Sequence, residues 1–248
     1  MGENRYAGQI KTIRDRGGDV IVSFGGEAGT ELAIAETNVA ALEAKYQSVI
    51  HRYKLTWLDF DIEGDGLSDA AANRRRNAAL AELQEKDHGL VVSFTLPVDP
   101  EGISEESQSL LGDAVSKGLK IHSVNVMTMD FGRRFSKGRK MSEVAMASAV
   151  KAYDQCRKIV PGIQMGLTPM IGRNDQRGEI FTTEDALALR KWAEGQPWVC
   201  SLSFWSVNRD NGGVALDTGD DVSSGIPQKR WEFTLIFKSF TRAQTTGD

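Results

Sequence analysis

The sequence lacks several features that would assign it to large classes of protein. It has no apolar run of about 18 residues, so no transmembrane helix is expected. It has no excess of positive charge. Thirty Lys and Arg against 34 Asp and Glu leave a formal charge of −4, which excludes nucleic-acid binding by bulk attraction and gives no membrane-surface signal. Cysteine is scarce: Cys156 and Cys200 form neither a disulfide framework nor a metal pattern, and both read as buried thiols. His51, His88 and His122 lack ligand spacing and are assigned no role, and no cofactor is expected. The opening residues have no apolar signal-peptide core, and Gly2 is followed by Glu-Asn-Arg-Tyr, without the Ser or Thr of a myristoylation signal. No linker or low-complexity tract interrupts residues 1–248, which therefore read as a single domain with enough apolar content for a full core.

What is present alternates. Six apolar runs read as strands: residues 20–24, 54–63, 90–96, 121–127, 165–171 and 199–205. Segments with helical periodicity separate them, over residues 38–50, 69–85, 104–117, 141–158, 183–194 and 227–241, with a further helix at 6–16 before the first strand. Thr37 suits an N-cap, Gly118 a C-terminal position and Pro227 a first helical turn. One helix and then six βα units predict parallel strands joined by right-handed crossovers. The fold class is therefore α/β of (β/α)8 TIM-barrel type, with about six of the eight units present, and an open doubly wound sheet is the alternative. Polar residues at the C-terminal strand ends, Ser23, Glu63, Asp130, Asn174 and Trp205, favour the barrel, where function collects at that end.

The most informative stretch is Leu-Thr-Trp-Leu-Asp-Phe-Asp-Ile-Glu-Gly at residues 55–64. On a strand, Asp59, Asp61 and Glu63 share one face and Leu58, Phe60 and Ile62 the other. Three carboxylates in a row repel one another, an arrangement that usually persists because it does chemistry. Oxygen ligands for magnesium or calcium are the competing reading of the same acids.

Three motifs in order, Ser23-Phe-Gly-Gly26, Asp59-Phe-Asp-Ile-Glu63 and Met127-Thr-Met-Asp130, resemble the successive strand motifs of glycoside hydrolase family 18, the chitinases. Residues 166–175 and 203–210 are similar to a bacterial branch of that family, and the resemblance runs from about Gly17 to Phe240. It implies substrate-assisted retaining hydrolysis, an exception to the usual two-carboxylate mechanism because the substrate's own N-acetyl oxygen is the nucleophile. On this resemblance Glu63 is the general acid and then the base, with a raised pKa. Asp61 orients the acetamide and shares a proton, and Asp59 pairs with Asp61. On the same resemblance Asp130 contacts the acetamide, with a loop cap as the alternative, and Trp205 stacks on a sugar ring, with ordinary core as the alternative; Met127 and Met170 read as pocket wall, and Asn174 and Asp175 read equally well as sugar hydrogen-bonders or as loop structure. Ser23 and Gly25 pack beside Asp59. The implied partners are chitin or chito-oligosaccharides, and the implied location is extracellular.

The chain departs from the family pattern at three places. Thr56 stands where the longer signature often carries another Asp. Met129 and Phe131 flank Asp130 where many relatives have a Tyr. The strand at residues 20–24 resembles the third of eight family strands, so the first two lack counterparts and the domain is expected to be N-terminally incomplete. Six strands cannot close as eight do, and they expose sheet edges. A fragment of a longer product is the preferred explanation; a homo-oligomer paired through those edges and an open marginal sheet are the others. An endo-acting chitinase is the expected function. The alternatives are an endo-β-N-acetylglucosaminidase of the same family and a lectin-like binder, although the presence of Glu63 argues against the binder.

Overall fold

The computed structural model describes residues 6–213 and 222–242. Residues 1–5, which carry the export and lipidation readings, lie outside the described residues. In chain order the elements are α1 (Ala7–Asp15), β1 (Val22–Gly25), α2 (Leu32–Ala35), α3 (Val39–Tyr53), β2 (Trp57–Asp61), α4 (Gly64–Ser68), α5 (Ala70–Lys86), β3 (Val91–Pro97) and α6 (Glu105–Ser116). Then follow β4 (Ile121–Met127), α7 (Arg133–Ser136), α8 (Met141–Ile159), β5 (Gln164–Thr168), β6 (Gly172–Arg173), β7 (Ile180–Phe181), α9 (Thr183–Glu194), β8 (Val199–Leu202), a 3-10 turn (Val207–Arg209) and α10 (Glu232–Lys238). The six expected strands are β1 to β5 and β8, each followed by helix, so the alternation is that of six units of a (β/α)8-type fold.

By contact the chain forms two compact units. The first holds the residues up to Thr95 together with Glu105–His122. Here β1 pairs parallel with β2, and β2 with β3, in a register that sets Ser23 beside Asp59, Asp59 beside Ser93, and Asp61 beside Thr95. The alternate residues build the opposite face. Phe24 stacks on Phe60 at 5.4 Å between ring centroids, and Tyr46 from α3 meets both rings edge-on at 4.9 and 5.3 Å. Leu58, Phe60 and Ile62 are fully buried, each contributing roughly 1.5–3 kcal/mol of transfer free energy. This apolar layer forces the acids of β2 onto the other face. Asn38, one residue after the expected Thr37, caps α3 by accepting the Ala41 N–H, and Asp69 caps α5. Gly118 takes a left-handed conformation just past α6.

The second unit holds Leu96–Ser104 and the residues from Ser123 onward. Within it β4, β5 and β8 are parallel neighbours, and β6 with β7 forms a short antiparallel hairpin that the apolar pattern does not announce. The expected strand over 165–171 ends early, at Thr168, because Pro169 has no N–H to donate. Pro227 does not open the last helix. That helix starts at Glu232, where the Asp210 carboxylate accepts the N–H groups of Phe233 and Thr234 at 3.1 and 2.8 Å. A cap supplied from more than twenty residues away, not the proline, sets its first turn.

Candidate active site

In the first unit the row of acids emerges from β2 with each member in a different setting. Asp59 accepts hydrogen bonds from Ser23 Oγ at 2.7 Å and Thr95 Oγ1 at 2.8 Å on one oxygen, and from Ser93 Oγ at 2.6 Å on the other. The Ser93 hydroxyl is itself oriented by the Trp57 indole N–H at 2.9 Å. Hydroxyls from both neighbouring strands thus hold Asp59, and no hydrogen bond joins it to Asp61 among the described residues. Ser23 packs beside Asp59, as its place in the motif suggests.

Asp61 is the contrasting case. Its Oδ1 is buried without a hydrogen-bond partner among the described residues. Burial, then the charges of Glu63 and Asp59, push its carboxyl up to about 7. Glu63 lies two residues past the end of β2, at the N-terminus of α4, and its side chain makes no capping bond there. Its carboxyl is also raised, first by burial and then by the charge of Glu27. Glu27 stands out only in the structure, because it follows the glycine pair of the β1 motif in a loop with no periodicity.

The glycine pair brings that loop across the end of β2. The Gly26 N–H donates to the Asp61 carbonyl at 2.9 Å. Gly25 has φ +108°, and a Cβ there would lie 2.0 Å from the same carbonyl oxygen, so only glycine fits. Beyond the loop, Glu31 forms a buried ion pair with Arg76 at 2.8 Å and accepts the Ala33 N–H. Between these anchors is a cavity of about 300 Å³ whose lining includes Glu27, Asp61, Glu63 and Asp65. Thr56 precedes β2 and is exposed, so the departure there places no group beside Asp59.

The remaining predicted site residues belong to the second unit. Asp130 follows β4 in a left-handed conformation, φ +51°, and lines a cavity of about 370 Å³ with Asp99, Glu101 and Phe131. Burial pushes its carboxyl up, while the Gln176 N–H bonded to it opposes that shift. Met127 is half-buried and Met170 is buried. Asp175 is exposed. Asn174 is 1% exposed. Its amide donates to the Met170 and Gly172 carbonyls at 2.9 and 3.2 Å and accepts the Asp130 N–H at 3.3 Å, so it braces the Asp130 backbone. Trp205 is 50% exposed and its strand-like bridge to Met170 fixes its backbone, which leaves ring surface free for stacking. Among the described residues no three His, Cys, Asp or Glu side chains converge to hold a metal ion. Neither cysteine is in a disulfide.

A row of acids at the C-terminal end of parallel βα units, two of them with raised proton affinity, is suited to general acid–base chemistry. No family model matches the chain. It is 33% identical to a probable bifunctional chitinase/lysozyme of Escherichia coli strain K12, over 97% of this chain and 29% of that protein. It is 33% identical to endochitinase 11 of Metarhizium anisopliae, over 84% of this chain and 44% of that protein. The chain thus spans less than half the length of these curated relatives. Crystal structures of catalytic-site mutants of active domain 2 of a thermostable chitinase from Pyrococcus furiosus, complexed with chito-oligosaccharides, superpose with a TM-score of 0.85 at 32% identity, covering 95% of this chain and 77% of that one. The chain belongs to the chitinases of glycoside hydrolase family 18.

Proposed function

We propose that this chain hydrolyses β-1,4 bonds between N-acetylglucosamine units of chitin, in endo mode, by substrate-assisted retaining catalysis. Glu63 protonates the glycosidic oxygen as the bond to the anomeric carbon breaks. The substrate's acetamide oxygen attacks that carbon, and Glu63 then takes a proton from the incoming water. Asp61 orients the acetamide and stabilises the positive charge that develops on it, while Asp59 is held on the same strand by three hydroxyls. Asp130 and Trp205 contribute acetamide contact and ring stacking. The names of the relatives support the substrate class, and that of the Metarhizium protein supports the endo mode.

The observation that carries the proposal is the contrast along β2. Asp59 is satisfied by three hydroxyls, whereas Asp61 keeps a buried oxygen unpartnered beside Glu63. A group left so costs stability unless a ligand completes it. Hydrolysis of a fluorogenic chitotrioside, with Glu63→Gln as control, tests the assignment. Activity is expected to fall by at least about 10³-fold in the variant, within the range of acid–base contributions. Retained activity refutes the role of Glu63. Binding without turnover in the unmodified chain would instead identify a lectin-like protein.

A further inference from the structure

Glu179, next to β7 on the β6–β7 hairpin, is 2% exposed and takes no part in the proposed chemistry. Its Oε2 accepts the Phe131 N–H at 3.1 Å, and its Oε1 has no hydrogen-bond partner among the described residues. The residue before Phe131 is Asp130, whose φ of +51° is uncommon outside glycine. The Asp130 N–H in turn goes to Asn174, also on the hairpin. The Asn174 N–H bonds to the Glu179 carbonyl at 3.0 Å, which ties the two braces together. Consecutive backbone N–H groups at a strained residue are therefore received by two buried side chains of one hairpin. The strained residue is the one whose carboxyl lines the cavity with Asp99 and Glu101.

A buried carboxyl with one oxygen unsatisfied is costly, and an apolar residue would pack there without that cost. We infer that Glu179 is a positioning residue for substrate recognition: through the Phe131 N–H it locks the left-handed turn that aims Asp130 into the cavity, where Asp130 meets the acetamido group of a sugar unit. This rests on the chitinase reading and extends it to a residue outside the strand motifs. Burial pushes the Glu179 carboxyl up, opposed by the Ser136 side chain and the Phe131 and Gly132 backbone and reinforced by the Asp130 charge.

The test is a double-mutant cycle read as kcat and KM on a chitotrioside, with Asp130→Ala and Glu179→Ala singly and together. Glu179→Ala is expected to raise KM about tenfold with little change in kcat, as lost ground-state binding does. Glu179→Gln keeps the acceptor for Phe131 and is expected to stay within about threefold of the unmodified chain. In the Asp130→Ala background, Glu179→Ala should add less than about twofold, because the group it aims is gone. Multiplying effects in the double variant, or Gln as damaging as Ala, would overturn the inference. Should Glu179→Ala fail to fold, Glu179→Asp, one methylene short of the Phe131 N–H, replaces it with the same expectations. An unchanged KM in Asp130→Ala alone would refute the contact Glu179 is held to serve, and Glu63→Gln separately tests the chitinase reading.

Discussion

Ser93 Oγ donates a 2.6 Å hydrogen bond to Asp59 Oδ1 and receives the Trp57 indole N–H at 2.9 Å, so one hydroxyl joins the innermost acid to the aromatic that opens its strand. Ser93→Ala leaves both an anion oxygen and an indole N–H short of a partner. Unfolding in urea is expected to show a loss of about 2 kcal/mol, the scale for a hydrogen bond to a charged group. Unchanged stability would mean that water replaces the hydroxyl and that the Asp59 cradle is not what fixes it.

Asp61 makes stability depend on pH with a sign opposite to that of a salt-bridged acid. Its folded pKa, about 7, lies above the unfolded value of 3.8, so the folded chain binds more protons between those limits. Stability therefore declines as pH rises from about 4 to 7, and the penalty is complete above 7. Asp61→Asn removes the ionisation. Melts across this range are expected to coincide for the two chains near pH 4 and to favour the variant by about 2–4 kcal/mol at pH 8, from 1.36 kcal/mol per pKa unit. A constant offset at every pH would show that Asp61 ionises freely in the fold.

Glu27 adds negative charge to the cavity that holds Glu63 and helps keep a proton on the acid. Asp61, Glu31 and Asp65 also face that cavity, and the cation nearby, Arg76, is bound to Glu31. Glu27→Gln is expected to move the alkaline limb of the kcat/KM profile to lower pH, with Glu27→Asp close to the unmodified chain. Because Asp61 and Glu63 titrate as a coupled pair, the limb belongs to the pair. A limb that stays in place would show that solvent screens Glu27 completely.

The six strands were legible because each is a short apolar run of its own, and the face of the acids followed from strand alternation alone. Asp59, Asp61 and Glu63 occupy the places that alternation assigns them, with Glu63 just beyond the strand. What was not legible depends on register and on distant chain. Ser93 and Thr95 reach Asp59 only because β3 pairs with β2 in one particular register, which the local pattern does not encode. Glu27 and Glu179 sit in a loop and in a hairpin of two-residue strands, too short to carry periodicity. The start of α10 depends on Asp210, a capping partner far away in sequence, so the signal of Pro227 misplaced it. Asn174 reads equally well as a sugar contact or as loop structure, and its burial and its hydrogen bonds to the Asp130, Met170 and Gly172 backbone, which no local pattern encodes, favour the brace.

A nucleophile that belongs to the substrate leaves the configuration at the anomeric carbon retained. Proton NMR of the first sugars released from chitotetraose, recorded before mutarotation, tests it most directly. β-Anomer is expected at the new reducing end. Initial release of the α-anomer would mean direct attack by water and would contradict it.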